Sequence, residues 1–288
     1  MNKNRNIALI GCGYWGTILA NNLLNFGIKN LYIYDFNKKN SEALKKKFKR
    51  VIVKNSYENL LKDESINIFF FATPPSKNFL LIKKAIENNK NIFLEKPGFK
   101  RISDFYKIKK IKMNNKILMF GYVYCYNDYI KYIKKIINKK DLGKILHINF
   151  QRQNLGPIRN DVQVAEDLSS HDLSIILNIF KKLPKVIYHN KYSILKKKIS
   201  DISNLHMKLN GSFIDINNTW LSPTKIRRIT IIGSKKMLLF DEMDLLNPIK
   251  IYNKYAVYPK IEDFKKSFFQ KKALIYEGKV NLPKIKFI

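Results

Sequence analysis

The segment NIALIGCGYWGTILANNLL, residues 6–24, constrains the fold more than any other part of the chain. Asn6 to Ile10 form an apolar run of strand length, Gly11, Gly13 and Gly16 take the G-x-G-x-x-G spacing, and Thr17 to Leu24 reads as the opening of a helix. A second apolar run, Leu31 to Tyr34, ends at Asp35, nineteen residues past Gly16. Strand, glycine turn, helix and acid in that register describe a dinucleotide-binding unit. Gly11 permits the tight turn, Gly13 lacks the Cβ that would obstruct a pyrophosphate, and Gly16 lets the helix approach the strand. Tyr14 and Trp15 fall at the helix amino end, whose N–H groups would face the phosphates. Asp35 stands where a carboxylate accepts hydrogen bonds from a ribose 2′-hydroxyl, which favours NAD. The neighbouring Lys38 and Lys39 could meet a 2′-phosphate, so NADP is not excluded.

Past Asp35 the pattern alternates: SEALKKKF helical, VIV a strand, SYENLLKD helical, INIFFFAT a strand, SKNFLLIKKAIENN helical, NIFLE a strand, SDFYKIKKIKMNN helical, KILMFG a sixth strand. Apolar strands separated by helices predict a Rossmann-type, doubly wound parallel sheet covered on both faces. Ligands of such sheets bind beyond the carboxyl ends of the strands. Two strand ends there carry chemistry: Thr73-Pro74-Pro75, a turn that would line the cofactor crevice, and Glu95-Lys96-Pro97. From Gly143 onward strand runs follow one another, with Asn210-Gly211 as a tight hairpin turn, which predicts an α+β domain built on a largely antiparallel sheet.

The 288 residues suffice for two domains, and 45% hydrophobic content with 13% aromatics is globular. No apolar run reaches the length of a membrane span, and the amino terminus passes straight into a strand, without the pattern of a cleaved signal peptide. Cys12 and Cys125 are too few for a disulfide framework or zinc site, which fits a reducing cytoplasm. His147, His189 and His206 lie in strand-like runs with no second ligand at metal spacing, so no metal is expected. The formal charge of +33, from 55 Lys and Arg against 22 Asp and Glu, raises the idea of a nucleic-acid partner. The excess is mostly lysine, spread through every segment alongside Asn and Ile, and no nucleic-acid-binding signature accompanies it, so no specific nucleic acid is expected. The field can still concentrate anionic substrates.

GCGYWG, ATPPS, EKP and EDLSSHD, in that order, resemble the GFO/IDH/MocA family, the glucose–fructose oxidoreductase and inositol dehydrogenase type. The similarity runs over nearly the whole chain, and GYVYCYND, NLGPIRNDV and DLSSHDLSI look like a subset associated with sugar or surface-polysaccharide metabolism. The resemblance implies a dinucleotide-binding domain over 1–121 and a substrate-binding and oligomerisation domain over 122–288. It also implies a nicotinamide-dependent oxidoreductase acting on a secondary alcohol or ketone of a sugar, cyclitol or nucleotide sugar, assembled as a dimer or tetramer. Lys96 matches the E-K-P lysine that reaches the substrate hydroxyl; alone it would read as one more solvated lysine, although a lysine at a buried strand end can deprotonate an alcohol. Asp167 and His171 match the family's acid and histidine four residues apart, which a helix places on one face. His171 would exchange the proton, as imidazoles do near neutral pH, and Asp167 would orient it or bind the sugar; a helix-capping aspartate and a satisfied core histidine are the plainer alternatives.

Asn78 departs from the histidine common after T-P-P and is left a polar contact with ribose or nicotinamide. The polar segment QRQNLGPIRND reads as a loop of the kind that carries specificity. There Arg159 is equally a gripper of substrate phosphate or carboxylate and a surface arginine. Tyr126 and Asn127 match a substrate-side family segment, Asp172 reads as a polar neighbour, and Tyr124 and Trp220 read as core. Lys225 and Arg227 read as fold and assembly residues. The family usually continues with a helix-containing stretch where this chain ends in YEGKVNLPKIKFI, so the second domain looks short at its C-terminus. A dinucleotide-binding regulatory or scaffolding relative without turnover is the competing expectation.

Overall fold

On β1 (Asn6–Ile10), Ile7 and Leu9 belong to one cluster of core residues and Ala8 and Ile10 to another, and all four are fully buried. A strand buried on both faces needs cover on both, which helices between successive strands supply. The computed structural model describes residues 5–156, 158–257 and 274–285. It divides into two units, Met1–Tyr122 and Val123–Ile288.

In the first unit the strands are joined through helices: α1 (Tyr14–Asn25), β2 (Asn30–Tyr34), α2 (Lys38–Lys47), β3 (Ile52–Val53), α3 (Tyr57–Lys62), β4 (Ile66–Phe71), α4 (Pro75–Glu87), β5 (Asn91–Leu94), α5 (Ile102–Lys109) and β6 (Leu118–Phe120). They form one parallel sheet in the order β3-β2-β1-β4-β5-β6, so the doubly wound expectation holds. The chain reverses its direction of build between β1 and β4, the switch point at which such sheets open a crevice. Phe69, Phe71, Leu81, Ile82 and Leu94 fill one side of the sheet and Leu31, Ile33, Leu44 and Val51 the other. Each such side chain contributes about 1.5–3 kcal/mol over leaving it exposed.

The second unit begins with a short 3-10 turn (Val123–Tyr126), then α6 (Asp128–Asn138), β7 (Ile145–Leu155), a π-helical turn (Ala165–Ser169) and α7 (Ser170–Phe180). Strands β8 (Lys185–Tyr192), β9 (Ile202–Leu209), β10 (Ser212–Thr219), β11 (Leu221–Gly233), β12 (Met237–Asp241), β13 (Ile249–Tyr252), β14 (Tyr255–Val257), β15 (Leu274–Tyr276) and β16 (Val280–Asn281) follow. Seven of them join β7 in an eight-stranded sheet ordered β16-β13-β12-β11-β7-β10-β9-β8, antiparallel among the described residues except where β10 lies parallel to β7. The Asn210-Gly211 turn has φ of 51° and 84°, the doubly left-handed form that joins twisted antiparallel strands.

Ile130, Ile133 and Ile136 of α6 and Ile175, Ile176 and Ile179 of α7 share a core with Ile148, Phe150, Ile214 and Ile229 of the sheet. The alternate side chains, among them His147, Asn149, His206, Asp215 and Asn217, are half-buried or exposed.

The segment QRQNLGPIRND is a loop only in its second half. β7 continues to Leu155, because Phe150 and Arg152 keep the inward register while β10 and β11 pair with the strand on either side. Pro157, and the last three residues of the chain, lie outside the described residues. Trp220, read as core, is buried with Val164 and Leu168. Among the described residues no helix is long and apolar enough to cross a membrane, and no group of three or more His, Cys, Asp or Glu could hold a metal ion.

Candidate active site

The glycine turn of the first unit separates into three physical roles. Gly11 has φ of 95°, and a Cβ there would stand 2.6 Å from the Ala72 carbonyl oxygen. At Gly16 a Cβ would stand 1.9 Å from the Gly11 carbonyl oxygen, so the helix and the turn touch backbone to backbone. Gly13 differs: its φ is −72° and nothing lies within 4 Å of where its Cβ would be. Its glycine is not needed by the folded chain itself, which leaves the space beside it for a ligand. That space adjoins the start of α1, which has no side-chain cap and no acidic residue in its first turn. First-turn N–H groups and the positive helix end are thus available to an anion. Tyr14 and Trp15, 79% and 53% exposed, flank the same turn.

Asp35 stands just past the end of β2 with its carboxylate oriented. Oδ2 accepts from the Cys12 N–H at 2.7 Å and from the Asn40 side chain at 3.3 Å, and Oδ1 accepts from the Asn37 N–H at 2.8 Å. A carboxylate has about four acceptor positions, so one remains for a ribose hydroxyl. Burial, with Asp35 adding to it, pushes the Cys12 thiol up to about 12, so this cysteine in the turn is a packing group and not a nucleophile. The space at Gly13, the uncapped helix start and the oriented Asp35 fit an NAD molecule.

Two further turns lie at the same edge of the sheet. After β4 the Ala72 N–H still bonds the Ile10 carbonyl, then Thr73 and Pro74 lead into α4 with Pro75 at its first position. Pro75 starts the helix where a missing N–H costs nothing. After β5 the Glu95 N–H bonds the Phe71 carbonyl, and Glu95 to Gly98 form a turn with a cis Lys96–Pro97 peptide. Lys96 is therefore held just beyond a strand end and is half-buried. Burial pushes the Glu95 carboxyl up, opposed by the Lys96 N–H and ammonium.

Asn78 was expected to touch the cofactor, but it is only 1% exposed. Its carbonyl accepts from the Thr73 hydroxyl and its amide donates to the Gly98 carbonyl. Asn78 thus ties the T-P-P turn to the E-K-P turn.

In the second unit Asp167 lies in the π-helical turn and His171 in the first turn of α7, so the expected single α-helix is wider at its start. Arg159 reaches Asp167 at 3.5 Å and binds Asp161 through Nε and Nη2 at 3.0 and 2.7 Å. The guanidinium fork foreseen for a substrate anion is occupied by Asp161, which such a ligand would have to displace. Tyr126 is exposed on the 3-10 turn, and Asn127 caps α6 by accepting from the Ile130 N–H.

The sequence reading missed a buried polar network beside His171. Arg152 and Asp172, with side chains 5% and 1% exposed, form an ion pair at 2.6 Å. Burial pushes the Asp172 carboxyl up, while Arg152 pulls it back. Arg152 also donates to the Tyr124 hydroxyl at 2.8 Å, and that hydroxyl donates to Glu242 at 2.7 Å. Tyr124, read as core, packs its ring edge-to-face with the His171 imidazole at 5.2 Å between centroids. The signal was present in HINFQRQ: Arg152 falls on the apolar phase of an alternating strand, where a charge needs a buried partner.

Residues 5–122 match the model of an oxidoreductase family with an NAD-binding Rossmann fold, GFO/IDH/MocA. The chain is 21% identical over 196 residues to the uncharacterized oxidoreductase YrbE of Bacillus subtilis, a match covering 64% of this chain. The matches span 58% of that relative and 39% of each of two others, so the chain spans only part of the length of the curated relatives it matches. Its fold is that of GenD2 from gentamicin A biosynthesis, solved in complex with NAD, at a TM-score of 0.77 and 14% identity, over 90% of this chain and 76% of that one. It is equally that of the UDP-N-acetylglucosamine 3-dehydrogenase GnnA from Acidithiobacillus ferrooxidans, at 0.75 and 15%, over 99% and 84%. With its glycine turn and oriented Asp35, the amino-terminal unit is matched over residues 5–122 by the GFO/IDH/MocA oxidoreductase family model, as an NAD-binding Rossmann fold.

Proposed function

We propose that the chain is an NAD-dependent oxidoreductase interconverting a secondary alcohol and a ketone on a sugar, cyclitol or nucleotide sugar. The observation that carries this reading is Lys96 at the ligand edge of the sheet whose switch point holds the open Gly13 turn and Asp35. Bound NAD supplies the hydride acceptor, or as NADH the donor. Lys96 and His171 manage the hydroxyl proton: one polarises or deprotonates the oxygen as hydride leaves its carbon, and the reverse delivery of a proton serves reduction. Asp167 orients the imidazole or binds a sugar hydroxyl. Tyr126 lies with the substrate, and Arg159 meets an anionic group only if Asp161 releases it. The name of GnnA, a UDP-sugar dehydrogenase with this fold, supports the nucleotide-sugar arm of the proposal. The family resemblance adds a dimer or tetramer, which light scattering reads directly.

The test is a titration of the chain with NADH for binding, then absorbance at the nicotinamide band with NAD as hydride acceptor and a panel of UDP-sugars, free sugars and cyclitols, and with NADH and their keto forms. Lys96→Ala and His171→Ala should each lower turnover about 10²–10⁴-fold, the usual worth of a positioned acid or base. NADH affinity should stay within about threefold of the parent, under 1 kcal/mol. NADH binding with no turnover on any panel member would refute the proposal and favour a dinucleotide-binding protein without catalysis.

A further inference from the structure

The side chains around His171 form a chain of contacts that no role in binding or proton transfer yet uses. We propose that Tyr124 is a positioning residue for His171, locked at its hydroxyl by Arg152 on one side and Glu242 on the other. This rests on the reading that His171 exchanges the substrate proton.

A tyrosine ring buried by packing alone can still turn about its two side-chain torsions within a rotamer well. Tyr124 is restrained further, because its hydroxyl accepts from Arg152 Nη1 at 2.8 Å and donates to Glu242 Oε2 at 2.7 Å. Both partners are charged, and such hydrogen bonds are roughly twice as strong as neutral ones. The Arg152 guanidinium also lies over the Tyr124 ring at 4.3 Å, while His171 meets that ring edge-to-face at 5.2 Å. Tyr124 therefore touches both the guanidinium and the imidazole.

The same guanidinium anchors the turn that carries His171. Arg152 Nε bonds Asp172, the residue next to His171, at 2.6 Å. The Asn218 carbonyl accepts from the Ser169 hydroxyl, two residues before His171. The 3-10 turn bearing Tyr124 is itself held on α7, through the Cys125 thiol to the Ser174 carbonyl and the Asn178 amide to the Cys125 carbonyl. Helix position and ring wall are thus set by one buried cation. A catalytic imidazole gains most when its orientation is fixed before the reaction, since misplacement by an ångström can cost about 10²-fold.

The chain has four histidines, so ring carbon–proton NMR of the full-length protein resolves each, with His171→Asn identifying its signal. His147, His189 and His206, on strands of the same unit, are internal controls. Tyr124→Phe keeps the ring and removes the hydroxyl. It should broaden the His171 signal and move its titration midpoint by about 0.3 units or more, a twofold change in proton affinity, with the three control midpoints unmoved. Glu242→Gln retains an acceptor for the hydroxyl and should leave the His171 line width as in the parent, whereas Glu242→Ala should broaden it. Tyr124→Leu, which removes the ring, should shift the His171 signal further. If Tyr124→Phe leaves the His171 signal and midpoint as they were, or if all four histidines shift together, Tyr124 serves only packing and the proposal is overturned. No substrate is needed, so the outcome is separable from the reaction: absence of turnover on the panel would refute the oxidoreductase reading and leave the NMR result standing.

Discussion

Gly13→Ala separates cofactor binding from folding in a way no other change in the turn does. The folded chain leaves nothing within 4 Å of the new Cβ, and φ of −72° is open to alanine. Relief of unfolded-chain entropy favours alanine by about 0.4–1 kcal/mol, while alanine is the poorer helix cap by a similar amount, so the two nearly cancel. A residual of at most about 1 kcal/mol moves the melting temperature by only about 2–4 °C in a protein approaching this size. The pyrophosphate of NADH meets the methyl instead. Displacing a ligand or backbone to admit one extra carbon costs about 1–3 kcal/mol, which raises the dissociation constant roughly 5- to 150-fold. Gly16→Ala should do the reverse, because its Cβ falls 1.9 Å from a backbone oxygen that cannot swing aside. There the melting temperature should fall first. The assay is NADH fluorescence titration paired with thermal melting on both variants. A Gly13→Ala protein that binds NADH within about threefold of the parent, under 1 kcal/mol, would refute the placement of the phosphates beside Gly13.

Asp35→Asn should weaken NADH about 10- to 100-fold, the 1.5–3 kcal/mol of a hydrogen bond to a charged group, and narrow the preference over NADPH because Lys38 and Lys39 remain. Isothermal titration with both cofactors measures it, and an unchanged ratio would count against Asp35 as the ribose acceptor. Burial opposes ionisation of Asp215, but hydrogen bonds from His206 and His147 outweigh it and hold the carboxyl below its usual range. A depressed folded value stabilises above the unfolded value, near pH 4, and that stability is lost as pH falls through the folded value. Asp215→Asn should therefore melt below the parent at pH 6, with the difference shrinking as the pH falls below the ordinary carboxylate range; a gap unchanged by acidification would mean that its ionisation contributes nothing.

The parallel sheet and its ligand edge could be read from the sequence because they rest on local rules. Ile7 to Ile10 are apolar on both phases of a strand, which only a doubly covered sheet accepts, and Gly11, Gly13 and Gly16 are spaced by the geometry of one turn. The hairpin at Asn210-Gly211 is of the same kind, since two consecutive left-handed residues favour that dipeptide. Asn78 shows where local reading stops. A polar residue one turn into a helix after T-P-P looks like a ligand contact, and only the approach of the E-K-P turn, from a strand later in the chain, makes it a bridge to the Gly98 carbonyl. Arg159 is held by Asp161, two residues away, and nothing in spacing says which anion the fork prefers.

Arg152 marks the boundary between the two kinds of information. Its position on the inward phase of HINFQRQ signals a buried charge, and a buried charge demands a partner. Sequence cannot name that partner, for Asp172 comes from a helix that follows the strand and a loop. A lone buried guanidinium would cost several kcal/mol, so the fold has to bring a carboxylate to it. The residues that meet this requirement, Tyr124 and Asp172, are the ones that touch or adjoin His171. The demand made by one misplaced-looking charge on a strand is therefore the same demand that fixes the imidazole, and stability and positioning in this unit rest on the same contacts.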